Sequence, residues 1–72
     1  MRHPLVDQFW RAVKSKHMNE RDVAAVSGVS KRAIESWLYD GRHPGIGNFV
    51  AALEAVGLTL KIVPLERKDG DR

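Results

Sequence analysis

Cysteine is absent from the chain. That excludes disulfides and thiolate metal sites as supports for the fold, and it fits a reducing compartment. Long apolar runs are missing as well, and none approaches the roughly 20 residues needed to span a bilayer. The opening Met1-Arg2-His3-Pro4-Leu5-Val6-Asp7-Gln8 lacks the apolar centre of a signal peptide. The expectation is a soluble cytoplasmic protein with no membrane partner. There is no internal repeat and no low-complexity segment. Catalytic constellations are also lacking. His3, His17 and His43 are scattered without metal-ligand spacing. Ser15, Ser27, Ser30 and Ser36 have local capping, surface or packing explanations, and no Ser-His-Asp arrangement is suggested. The glycine-rich stretch 41–47 does not end in the Gly-Lys-Ser/Thr of a phosphate loop. No enzyme activity, metal or cofactor is expected.

What is present suits one small domain. The chain has 72 residues, 43% hydrophobic and 29% charged, a globular composition with a modest core. Net charge is +3 and the sequence pI about 9.7, which is compatible with a polyanionic partner without establishing one.

Helical periodicity covers most of the sequence. Leu5, Val6, Phe9, Trp10 and Val13 fall on one face of a helix over residues 4–16, with Pro4 in its first turn. A second helix is expected over 20–27, burying Val23, Ala24 and part of Val26, and a third over 31–39. On the third, Ile34, Trp37 and Leu38 share one face. Arg32, Glu35, Ser36 and Tyr39 share the other, with Lys31 at the exposed end. Trp10 and Trp37 both fit apolar faces and read as core. After a turn-rich loop over 40–45, a fourth helix over 46–56 carries Phe49, Val50, Leu53 and Val56, and Gly57 ends it.

The run 19–38 organises the rest. Asn19 and Ser30 stand where N-cap residues belong, and Met18 with Val23 and Val29 with Ile34 occupy the staple positions. Gly28 stands between the helices, where a left-handed residue ends a helix. Helix, short glycine turn and helix form the helix-turn-helix pattern, which usually places its second helix in a DNA major groove.

The C-terminal part differs in kind. Residues 58–64, Leu-Thr-Leu-Lys-Ile-Val-Pro, alternate with period two and are rich in β-formers. A lone strand leaves its backbone groups unpaired. The simplest partner is the same strand of a second copy, making Leu58, Leu60, Ile62 and Val63 the dimerisation residues. The alternative is an extended tail laid over helices one and four. Domain 1–58 is thus followed by a strand over 59–64 and a charged, disordered tail over 65–72.

Over residues 5–58 the chain resembles the Cro/cI-type (lambda-repressor-like, XRE) helix-turn-helix family. The resemblance rests on the combined spacing of Glu20, Val23, Ala24, Gly28, Val29, Ser30, Ile34, Trp37 and Pro44, then Phe49, Val50, Leu53, Val56 and Gly57. It implies an all-α fold, a compact four-helix lambda-repressor-like bundle, here with the short C-terminal β-strand paired across a dimer. It also implies binding of double-stranded operator DNA, usually as a homodimer. Carried over by position, Lys31, Arg32 and Ser36 face bases, and Glu35 is a candidate acceptor from a cytosine amine. Asn19, Glu20, Arg21, Ser30, Tyr39, Arg42 and His43 are candidates for the DNA backbone. The chain departs from the pattern in several places. Glu20 is an acid where glutamine is common, and Ser27 replaces a large apolar residue. The glycine after helix three comes one residue late, at Gly41, and a strand replaces the usual fifth helix. Two other readings compete with a transcriptional regulator. One is an antitoxin-like module that also binds a partner protein, and the other is an adaptor that has lost DNA binding.

Overall fold

The structure, a computed structural model, describes residues 2–65; the expected charged tail beyond Leu65 lies outside them. Four helices follow in order: α1 (Pro4–Ser15), α2 (Glu20–Ser27), α3 (Lys31–Tyr39) and α4 (Ile46–Ala55). The second and third have the bounds expected from their caps. Helices one and four each end one residue earlier than expected.

Local chemistry accounts for most of the helix ends. Pro4 opens α1 with a φ already suited to a helix, and His3 caps it, its Nδ1 accepting the Leu5 N–H at 3.0 Å. The helix closes when Met18 N–H donates to the Val13 carbonyl at 3.1 Å, with His17 at a left-handed φ of 58°. At α2, Asn19 and Asp22 form a reciprocal capping box. Asp22 N–H donates to Asn19 Oδ1 at 2.9 Å, and Asn19 N–H donates to Asp22 Oδ2 at 3.1 Å. Gly28 then takes φ 79°, and Ser30 Oγ accepts the Ala33 N–H at 3.1 Å to begin α3. Only α4 starts without a side-chain cap.

Each helix contributes one buried face. Val6, Phe9 and Val13 of α1 meet Val23 of α2, Ile34, Trp37 and Leu38 of α3, and Phe49, Ala52 and Leu53 of α4. Val29 from the corner and Val56 after α4 complete the core. Helix α2 packs on α3 and α4, and α1 packs on α3. At the centre, Phe9, Trp37 and Phe49 form a triangle of edge-on rings with centroids 5.9–6.2 Å apart. Such pairs add about 0.5–1.5 kcal/mol each beyond the area they bury. Trp10 lies at the rim, half-buried, with the Lys14 ammonium 6.0 Å from its ring centroid. Val26 corrects an expectation, being 65% exposed. A helix of eight residues makes little more than two turns. Val23 and Ala24 take its inner side, and Val26 falls outside it.

After α4, Gly57 at φ 81° lets Leu58 N–H donate to the Leu53 carbonyl at 2.9 Å, which turns the chain off the helix. No strand occurs among the described residues. A strand that pairs only with a second copy has nothing to pair with in one chain. Leu58 and Leu60 remain partly covered at 40% and 39% exposure, whereas Ile62 is fully exposed.

Candidate functional site

Helix α3 carries two unlike faces. Ile34, Trp37 and Leu38 anchor it in the core, while Lys31 and Arg32 stand exposed at its N-terminal end. Lys31 does not stand alone, since its Nζ donates to Glu35 Oε2 at 2.5 Å, one turn further on. Among the described residues this pair and Arg2–Asp7 are the ion pairs. Both lie on the surface, where such pairs contribute little stability. Arg32 therefore presents its guanidinium without a carboxylate partner among those residues.

Arg32 and Arg42 flank an open, shallow concavity that also takes in Ser30, Ser36 and Asp40. Its walls come from the start of α3 and the loop after it. That loop is tied back by Asp40 and Arg42 N–H groups, which both donate to the Ser36 carbonyl at 3.1 and 3.2 Å. The Ser36 hydroxyl donates to the Ala33 carbonyl at 3.0 Å. It therefore keeps its lone pairs for an outside donor, while its proton is engaged by the helix.

The start of α2 joins this surface through a contact between residues 19 apart in sequence. Tyr39 O–H donates to Glu20 Oε2 at 2.5 Å. That hydrogen bond is the main cause holding the Glu20 carboxyl below its ordinary range, helped by a backbone hydrogen bond and by Lys31 and Lys14. The same hydrogen bond raises the Tyr39 phenol above its ordinary value. Glu20 thus has a local role that a glutamine would fill less strongly, because a carboxylate accepts a stronger bond. Ser27, the other departure at the corner, also has a function there. Its Oγ accepts the Val29 N–H at 3.0 Å, satisfying an amide just past the helix end.

Lys31, Arg32, Glu35, Ser36 and Arg42 are thus grouped on α3 and its following loop, with Glu20 and Tyr39 linked beside them. Asn19, Arg21 and Ser30 are exposed at or near helix starts, and Asn19 and Ser30 already use an oxygen for capping. His43 faces another way. Its ring meets that of His3 edge-on at a centroid distance of 5.6 Å. Sequence reasoning missed three contacts here. The His3 cap was readable from its place before Pro4, and Ser27 from its place before the corner glycine. Nothing local could have paired Glu20 with Tyr39.

The two histidines border a mainly apolar groove lined by Leu5, Val6, Pro44, Ile46, Phe49 and Leu60. Chemically, the α3 surface offers guanidinium and ammonium donors beside carboxylate and hydroxyl acceptors. That mixture can both donate to and accept hydrogen bonds from a polar ligand surface. No helix among the described residues is long and apolar enough to cross a membrane. Compared with protein-family models, curated proteins and solved structures, the chain has no match.

Proposed function

We propose that the chain is a sequence-specific DNA-binding transcriptional regulator of the lambda-repressor-like helix-turn-helix kind that its sequence resembles. It acts as a homodimer on an inverted-repeat operator, with α3 in the major groove. The observation that supports this reading is the division of α3. One face is locked into the core by Ile34, Trp37 and Leu38, and the opposite face leaves Lys31, Arg32, Glu35 and Ser36 accessible on a rigid, capped helix. Arg32 supplies a bidentate donor for guanine O6 and N7. Arg21 and Arg42 supply salt-dependent attraction to phosphates, and Lys31 does so when it leaves Glu35. Two copies present their α3 helices about 34 Å apart, one turn of DNA.

In vitro selection of bound duplexes from a random library tests the reading. The expected product is a palindromic site with half-sites one helical turn apart, and a library that shows no enrichment overturns the proposal. On the selected site, Arg32→Ala should cost about 1–3 kcal/mol and relax preference at one base pair. A second reading draws on the exposed apolar residues Ile62, Val63 and Leu65. In an antitoxin-like module these would add to the sheet of a partner protein. Stoichiometric co-purification with a neighbouring gene product would favour it.

A further inference from the structure

We infer that Glu35 sets the specificity of the α3 surface by holding Lys31 off the DNA backbone until a base donor takes the lysine's place on its carboxylate. This deepens the DNA-binding reading above and rests on it.

The needs of the helix explain the Lys31–Glu35 pair poorly. Lys31 is the first residue of α3, whose first turn carries no acid. A cation there meets the positive end of the helix dipole. Lysine placed N-terminal to glutamate is also the weaker order for a pair four residues apart. Both side chains are accessible, Lys31 at 47% and Glu35 at 39%, so the pair adds little to folding. The charges around it leave Lys31 no surplus for a polyanion. Tyr39 donates to Glu20 Oε2 at 2.5 Å, the main cause that keeps the Glu20 carboxyl low, and Lys31 adds to that effect from nearby. Lys31 itself donates to Glu35 Oε2 at 2.5 Å. Two carboxylates thus share one ammonium.

Against DNA, this arrangement acts as a conditional release. When Lys31 moves to a phosphate, Glu35 loses its partner as water leaves the groove, and an unpaired charge is costly there. A sequence with a cytosine N4 or adenine N6 amine opposite Glu35 supplies a replacement donor. Lys31 then goes free and neutralises a phosphate. Any other sequence leaves the pair closed, and one positive charge is withheld from the backbone. Arg32, with no carboxylate partner among the described residues, is available in both cases. Lys31 therefore counts toward binding of the preferred site and not toward non-specific binding.

Glu35→Gln and Lys31→Met of the full chain are compared with the unaltered chain on the selected site and on random duplex, from about 50 to about 200 mM salt. Each phosphate contact contributes about 0.9 to the slope of log affinity against log salt. On random duplex, Glu35→Gln should steepen that slope by about 0.9, a further loss of roughly 3.5-fold over this range, and on the selected site leave it unchanged. Lys31→Met should do the reverse, making the slope about 0.9 shallower on the selected site and leaving random duplex unchanged. Both variants keep their helical circular dichroism and lower the ratio of specific to random affinity. A Glu35→Gln chain that binds both duplexes more tightly by the same factor shows Glu35 acting as bulk negative charge. That overturns the inference and leaves the DNA-binding reading standing, as does a Lys31→Met chain with a flattened slope on random duplex. A chain that enriches no site from the library overturns both.

Discussion

At residue scale, single side chains act where the backbone has few alternatives. His17 holds a left-handed φ of 58°, a conformation that costs an L-residue about 1–2 kcal/mol and glycine almost nothing. His17→Gly should therefore raise stability by up to about 1 kcal/mol in urea denaturation, part of the relief being offset by the freer unfolded chain. The Glu20–Tyr39 hydrogen bond gives a pH signature. Because Glu20 is lowered in the folded state, its contribution is present above the ordinary carboxyl value of about 4.3 and is lost as pH falls through the lowered one. Because Tyr39 is raised, its contribution is present below about pH 10 and is lost as pH rises through the raised value. Tyr39→Phe should move the Glu20 carboxyl back up in an NMR titration and flatten the acid limb of stability against pH. An unchanged Glu20 titration would show that the hydrogen bond does not form in solution.

At element scale, the corner between α2 and α3 is where the sequence was most legible. Asn19, Gly28 and Ser30 each mark an element end with their own chemistry, so both helices have the bounds their caps imply. An added Cβ at Gly28 would meet nothing within 4 Å. Gly28→Ala should thus destabilise through φ alone, by about 1–2 kcal/mol. Ser30→Ala should cost about 1 kcal/mol by uncapping α3. Thermal denaturation of the two variants checks both figures. Other features were less legible. The inner face of α2 was drawn too wide at Val26, because two turns give periodicity too little length to define a stripe. The Glu20–Tyr39 contact depends on how two helices cross, which no local pattern encodes. Whether Lys31 meets Glu35 or solvent was also hidden, since an exposed pair at this spacing is compatible with either. The outer positions of Lys31, Arg32, Glu35 and Ser36 on α3 were thus legible, but the Lys31–Glu35 and Glu20–Tyr39 contacts were not.

At the scale of the whole molecule, the aromatic triangle joins α1, α3 and α4, while α2 adds one fully buried side chain, Val23. Phe9 has no exposure at all. Phe9→Ala should cost about 3–5 kcal/mol. A domain of this size holds only roughly 4–11 kcal/mol in total. That variant is expected to be largely or wholly unfolded at 37 °C, as read by near-ultraviolet circular dichroism. Substitutions at Arg32 should leave the same signal intact.

The two-faced character of α3 has a consequence for how such a protein can diversify. The residues that hold the helix and those that would touch a ligand are different residues, so the demands on them are separable. Under the proposed DNA-binding role, the outer residues can be exchanged, and target preference altered, without a compensating change in the interior. The small size of the domain then restrains what its inner face can become, and hardly restrains what its outer face can learn to recognise.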